Sequence, residues 1–219
     1  NKEFAVITYL FLAIFICLMG YMVYFQAVKS EDFINSPYNS RQDTFADRVV
    51  RGKIMSADGK VLAETVVDAA GNETRKYPYG NMYAHVVGFS TNGKSGIESN
   101  MNFNLLRSHS FVLERMFNEI KDEKSMGDNV VTTLDSTLQE TAYQALGNYD
   151  GAVVVMEPST GKVLAMVSKP DFDPNTIAAD WDSIISEDNN NSVLLNRATQ
   201  GLYPPGSTFK IITTLEYIR

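Results

Sequence analysis

The sequence predicts an α+β protein: a single transmembrane helix, a small mixed α/β region, then the first strands and leading helix of a second α/β domain. Three observations predict it. Phe4 to Phe25 carries no charged residue. Asp58-Gly59 separates two short apolar-containing runs, a strong short-range hairpin signal. The apolar stretch Gly151 to Met156 reads as a central strand; Glu157 to Lys162 turns the chain back through Val163 to Ser168, and Tyr203-Pro204-Pro205-Gly206 leads into a helix.

The first run sets the relation to the membrane. As a helix, Phe4 to Phe25 is about 33 Å long, which matches the hydrocarbon core of a bilayer. Tyr9, Tyr21 and Tyr24 lie towards its ends, where amphipathic rings suit the interface. A cleavable signal peptide has a shorter apolar core followed by small residues, whereas Tyr24, Phe25 and Gln26 follow here. An uncleaved signal anchor is therefore expected over residues 1–28. The flanking Lys and Arg are nearly balanced, so charge does not set the orientation.

The chain has 219 residues, 44% of them hydrophobic, and a formal net charge of −7. An acidic chain without a basic run is a poor partner for a phosphate backbone, so no nucleic acid is expected. The one cysteine, Cys17, lies in the apolar segment, which excludes a disulfide framework or a cysteine metal site within the chain. His85 and His109 are far apart and read as ordinary surface or packing residues.

Residues 29 to about 47 are polar and read as a juxtamembrane connector. Residues 71–101, rich in Gly, Asn and Tyr, read as loop and turn. Phe103 to Lys124 reads as helical or mixed, and Val130 to Leu134 as a short strand. Asp135 is a preferred N-cap for a helix over Ser136 to Leu146, with Gly147 closing it. Residues 171–200 read as a polar surface excursion.

The chemistry concentrates at Ser207-Thr208-Phe209-Lys210, which fits S-x-x-K. On a helix, positions three apart share a face, so Lys210 reaches the Ser207 hydroxyl. A serine is a weak nucleophile without a neighbouring base, and a lysine serves as that base only where burial or positive charge favours its neutral form. The helix N-terminus favours the oxyanion that forms. The pattern alone is weak: roughly one match is expected by chance in a chain of this size. Ser159-Thr160-Gly161-Lys162 also fits and reads as a plain hairpin turn. Spacing by itself does not separate Ser207 from an ordinary helix start.

The longer string Tyr203-Pro204-Pro205-Gly206-Ser207-Thr208-Phe209-Lys210, with Asn196-Arg197-Ala198 upstream, resembles the nucleophile motif of class B penicillin-binding proteins. Gly151 to Pro158 with Thr160 to Met166 is similar to that family's first two transpeptidase strands, and Phe172-Asp173-Pro174-Asn175 to its Asp-Pro-Asn. Arg51-Gly52-Lys53-Ile54, Asp58-Gly59, Gly93, Gly96-Ile97-Glu98, and Asp128 to Asp135 with Gln139 resemble motifs of its non-catalytic pedestal. The resemblance implies a membrane anchor (1–28), a connector and pedestal (29–147), and the N-terminal part of a serine β-lactamase-like transpeptidase domain (148–219).

The resemblance further implies a peptidoglycan D,D-transpeptidase. Ser207 attacks the D-Ala-D-Ala carbonyl of a stem peptide, Lys210 takes its proton, and an acyl-enzyme passes the chain to a neighbouring amine. Implied partners are the stem peptide, β-lactam antibiotics, the cell membrane and other cell-wall synthesis proteins; no metal or organic cofactor is implied. The bulk of the chain is expected outside the cytoplasm. The family's Ser-x-Asn and Lys-Thr/Ser-Gly motifs belong downstream of the nucleophile; Ser90-Thr91-Asn92 and Lys94-Ser95-Gly96 lie upstream and read as chance. With Asn1 in place of Met, the sequence is expected to be an N-terminal fragment, inactive alone and poorly folded beyond residue 147. The alternatives are a membrane β-lactam sensor, a β-lactamase or carboxypeptidase, and a non-catalytic cell-wall-synthesis scaffold.

Overall fold

The computed structural model describes residues 2–30, 33, 49–108, 124–186 and 192–218. In chain order the elements begin α1 (Lys2–Tyr24), β1 (Val49–Val50), β2 (Ile54–Met55), β3 (Val61–Val67), β4 (Glu73–Lys76), α2 (Ala84–Val87), α3 (Gly96–Asn100) and α4 (Asn102–Leu106). They continue with β5 (Ser125–Met126), β6 (Val130–Val131), α5 (Ser136–Leu146), β7 (Gly151–Met156), β8 (Val163–Lys169), α6 (Ile177–Ile185), α7 (Arg197–Gln200) and α8 (Lys210–Ile218). The mixed α/β composition agrees with the expected class. Most of the expected connector, His109 and the rest of residues 109–123, and the asparagines at 189–191 lie outside the described residues. The chain forms two compact units: Asn1–Lys53 with Ile97–Val130, and Ile54–Gly96 with Val131–Arg219.

In the first unit, α1 continues through a π-helical turn, Phe25–Lys29. It is long and apolar enough to cross a membrane, and none of its apolar window is buried. The remainder of this unit is held by close backbone contact. β1 pairs parallel with β5, with Val49 opposite Ser125 and Val50 opposite Met126. Gly52 N–H donates to the Leu105 carbonyl at 2.9 Å, and Gly127 N–H to the Val50 carbonyl at 2.8 Å. A Cβ at Gly52 would lie 1.9 Å from the Asp128 carbonyl oxygen, so only glycine permits this approach. Arg51 beside it donates from Nε to Glu98 Oε2 (2.6 Å), from Nη2 to the Glu98 carbonyl (2.6 Å), and to Asn102 Oδ1. Glu98 is fully buried, and the three contacts of Arg51 offset the cost of desolvating the pair.

In the second unit, the Asp-Gly hairpin forms as expected. β2 and β3 are antiparallel, with Ile54 opposite Ala63, and Gly59 takes φ +82° in the turn. β3 then pairs antiparallel with β4. That strand corrects the expectation of continuous loop over 71–101. Glu-Thr-Arg-Lys has no apolar alternation to read, and its register sets Lys76 opposite Glu64, an opposite-charge pair. The expected strand at 130–134 shortens to Val130–Val131; Thr132 instead gives both its N–H (2.8 Å) and its hydroxyl (3.0 Å) to the Met55 carbonyl.

Helix α5 has the expected caps. Asp135 Oδ1 accepts from Leu138 N–H at 2.9 Å, and Gly147 closes the helix at φ +56°. Its apolar side packs Ala142 on Ala165 and Val167 of the β7–β8 hairpin, with Tyr143, Leu146, Val153 and Val155 around them. Gln139, fully buried, satisfies its amide completely on backbone. Its Nε2 donates to the Met82 and Met166 carbonyls and its Oε1 accepts from Met166 N–H, each at 2.8 Å. It therefore pairs the outer edge of β8 as a neighbouring strand would. β7 pairs with β8 through residues 151–156 and 163–169. Among the described residues its other edge has no partner strand, whereas the apolar run was expected to be central.

The described part of residues 171–200 corrects the expected surface excursion. Phe172 and Ile177 join Ala84 and Phe89 in a core that Trp181, Ile184, Val193 and Leu194 cover. Phe89 meets Phe172 and Trp181 edge-on at 5.7 and 6.0 Å. The apolar spacing of Ile177, Trp181 and Ile184 was visible as one helical face, but the polar residues between them dominated the composition. Asp173-Pro174-Asn175 anchors this segment: Asn175 accepts from Tyr77 N–H (2.9 Å) and donates to the Tyr77 carbonyl (3.0 Å).

Candidate active site

The Ser207 region begins at a docked segment and ends in a free helix. Upstream, Asn196 caps α7 by accepting from Ala198 N–H at 3.0 Å, and Ser168 of β8 accepts from Arg197 N–H at 2.9 Å. Gly201 then admits Tyr203 closely, since a Cβ there would lie 2.5 Å from the Tyr203 ring. Pro204 and Pro205 precede a 3₁₀ turn over Gly206–Phe209, which passes into α8. Gly206 takes φ +54°, a left-handed position that glycine occupies freely.

The turn type decides how Ser207 and Lys210 are related. Lys210 N–H donates to the Ser207 carbonyl, an i+3 to i bond. In a 3₁₀ turn side chains three apart eclipse, so the backbone sets both residues on one face. Thr208 donates its N–H to the Pro205 carbonyl at 3.2 Å and its hydroxyl to the same oxygen, fixing the start of the turn. Among the described residues, no hydrogen bond joins the Ser207 hydroxyl to the Lys210 amine. Both side chains are exposed, as is all of α8, whose Ile211, Ile212, Leu215 and Ile218 pack on no core among the described residues. The described residues therefore build no cleft around the pair.

The decoy separates cleanly. Ser159 to Lys162 occupies the exposed β7–β8 turn, where Thr160 bonds Glu157 and Gly161 takes φ +75°. Ser90-Thr91-Asn92 and Lys94-Ser95-Gly96 lie in a connecting loop, with Gly88 and Gly96 in close backbone contact across it.

Two residues have roles that the sequence did not disclose. Asp58, read only as a turn residue, accepts the Ser136 hydroxyl at the start of α5. That bond, then one from Ser56, holds its carboxyl down at about 2. His85 is buried against Phe172 and bonds the Pro170 carbonyl through Nε2 at 2.9 Å. A carbonyl only accepts, so Nε2 carries the proton. Burial lowers the ring's proton affinity, partly countered by this bond and by the charge of Asp171.

With this geometry in place, the chain can be set beside known proteins. Residues 151–218 match the penicillin binding protein transpeptidase domain, and residues 51–130 the penicillin binding protein A dimerisation domain. It is 40% identical over 187 residues to peptidoglycan D,D-transpeptidase PbpA of Mycolicibacterium smegmatis, covering 75% of this chain and 36% of the relative. It is 33% identical over 181 residues to peptidoglycan D,D-transpeptidase MrdA of Escherichia coli, covering 66% of this chain and 28% of the relative. Among solved structures, an imipenem acyl-enzyme complex of penicillin-binding protein A from M. tuberculosis aligns with a TM-score of 0.67 and 36% identity, over 77% of this chain and 42% of that one. The D,D-transpeptidase domain of a peptidoglycan glycosyltransferase from Eggerthella lenta aligns at 0.64 and 39%, over 76% and 36%. The chain belongs to the penicillin-binding protein family. It spans about a third of the length of the curated relatives it matches.

Proposed function

We propose that this chain serves a membrane-anchored peptidoglycan D,D-transpeptidase, with Ser207 as nucleophile and Lys210 as its base. The observation that carries the reading is the 3₁₀ turn that eclipses these two residues at the head of α8. In the reaction, Ser207 Oγ adds to the carbonyl of the D-Ala-D-Ala bond while its proton passes to Lys210 Nζ. The tetrahedral intermediate collapses, the C–N bond breaks, and the departing D-Ala takes a proton as an amine. An amine of a second stem peptide then displaces Oγ, forming the cross-link and regenerating the serine. A β-lactam ring opens on the same oxygen and leaves a persistent acyl-serine. Support for β-lactam binding comes from the acyl-enzyme complex of the M. tuberculosis relative.

The organisation that fits is an anchor at 1–28, a connector and dimerisation-type pedestal at 29–147, and a transpeptidase segment at 148–219. The two family matches fall inside the second and third of these. Since stem peptides lie outside the cytoplasm, α1 is a single-pass anchor and the residues after it are extracytoplasmic. Other cell-wall synthesis proteins are partners in the same membrane.

The test is covalent labelling of the full-length gene product by a fluorescent penicillin. Ser207→Ala is expected to abolish labelling, and Lys210→Ala to slow it by about 10²–10⁴-fold, the scale of a lost general base. Undiminished labelling of Ser207→Ala would end this reading. Full rescue of growth by Ser207→Ala would point instead to a scaffold.

A further inference from the structure

We infer that Ser168 and Asn196 are positioning residues: together they dock the segment that leads to Ser207 onto the face of β8 that carries Met166 and Ser168. The inference rests on the reading of Ser207 as nucleophile and adds what holds it in place. Ser168 is almost fully buried. Its hydroxyl accepts from Arg197 N–H at 2.9 Å and donates to the Leu195 carbonyl at 3.4 Å. One side chain thus pairs with the backbone groups on both sides of Asn196, on the face of β8 opposite Ala165 and Val167.

Asn196, between those two partners, works in both directions. Its Oδ1 caps α7 through Ala198 N–H, while its Nδ2 donates to the His85 carbonyl at 3.2 Å and approaches Met166 Sδ at 3.8 Å. Its own carbonyl accepts from Gln200 N–H at 2.8 Å. His85 is in turn held by its ring bond to the Pro170 carbonyl at the end of β8. The segment 195–198 is therefore tied to β8 directly through Ser168 and again through His85.

Among the described residues, little else holds the chain beyond this dock. Gly201 is half-buried, and every described residue from Leu202 to Ile218 is exposed. The dock is the last fixed point before Ser207 among the described residues. Its loss lets the Pro-Pro-Gly segment and the turn that follows drift relative to β7 and β8. A nucleophile displaced by an ångström still binds its ligand but attacks it slowly.

The effect is therefore a slower acylation step at unchanged affinity. Ser168→Ala removes the hydroxyl pairing; Asn196→Asp keeps the cap acceptor and loses the donor to His85. In the full-length gene product both are expected to lower the rate constant for acylation by a fluorescent penicillin about 10- to 100-fold, leaving the pre-covalent dissociation constant within about twofold. Asp135→Ala, which loses a helix cap away from this segment, is the control for general destabilisation and is expected to leave that rate constant unchanged. Rate constants within about twofold of the parent in both variants, or an equal fall in Asp135→Ala, overturn the inference. The parent protein gives a second measurement that no folding defect can obscure. Its Arg197 and Ala198 amides must exchange with solvent far more slowly than those of Leu202 and Tyr203; equal exchange overturns the dock. Covalent labelling of Ser207→Ala would instead remove the nucleophile reading while leaving this amide protection in place, so the two failures are distinct.

Discussion

Arg51 holds a buried carboxylate in the first unit. It neutralises a carboxylate from which water is wholly excluded, while its remaining donors reach the Glu98 carbonyl and Asn102. Arg51→Ala leaves Glu98 buried and uncompensated, and is expected to cost about 3–5 kcal/mol in urea unfolding. Arg51→Met with Glu98→Leu removes both charges and is expected to recover much of that loss; a double variant as unstable as the single would show that the ion pair is not the cause. His85 makes the matching point in the second unit. Its folded-state proton affinity is lowered, chiefly by burial. The unfolded chain therefore binds a proton that the folded chain resists, and stability falls as pH drops through the ordinary histidine range near 6.5. Asp171 opposes this shift and Arg197 adds to it. Unfolding midpoints are expected to decline from pH 7.5 to 5.5 and to flatten in His85→Gln; an unchanged slope in that variant would assign the effect to His109, the chain's other histidine.

Among the elements, α5 links the β2–β3 hairpin to the β7–β8 hairpin. Its N-terminus is held twice: Asp135 accepts from Leu138 N–H, and the Ser136 hydroxyl donates to Asp58 at the tip of the hairpin. Its buried Gln139 closes the edge of β8, and its apolar side covers the β7–β8 hairpin. These contributions differ in kind. Asp135→Ala exposes one N–H near solvent and is expected to cost about 1 kcal/mol. Gln139→Leu leaves two carbonyls and one N–H unpaired in the interior, each costing about 1–3 kcal/mol. The larger loss of midpoint stability should therefore follow the Gln139 change, and a reversed order would mean that water replaces the amide. α8 is the opposite case. Its leading 3₁₀ turn is formed, but its apolar side chains contribute no burial among the described residues.

At the scale of the whole molecule, the chain joins an apolar helix that can span a bilayer to a body whose charged residues suit water. The full-length gene product is expected to stay in the membrane pellet after alkaline carbonate washing and to leave it when residues 1–28 are removed. Retention without them would assign membrane binding to another part of the chain. The two compact units also interleave along the sequence: residues 54–96 fold with residues 131–219, while residues 97–130 belong to the other unit.

Local physics made much of this legible in advance. An uncharged run of bilayer length, an Asp-Gly turn between strands, an Asp cap with a closing glycine, and Ser and Lys three apart after a Pro-Pro-Gly each depend on neighbours within a few residues, and each was readable as written. The strand Glu73–Lys76 and the core at Phe172, Ile177 and Trp181 were not, because a polar strand is specified by its partner and an interrupted apolar face by what it packs against. The tertiary partners of Ser168 and Asn196, and the second role of Asp58, were invisible for the same reason: they are 27 to 111 residues away in sequence. Sequence alone determined the apolar helix of bilayer length, the family and the nucleophile candidate, since motif and hydropathy are properties of adjacent residues. Only the tertiary structure decided which side chains bond the segment 195–198 upstream of Ser207, because hydrogen bonds between distant segments exist only once the chain has folded.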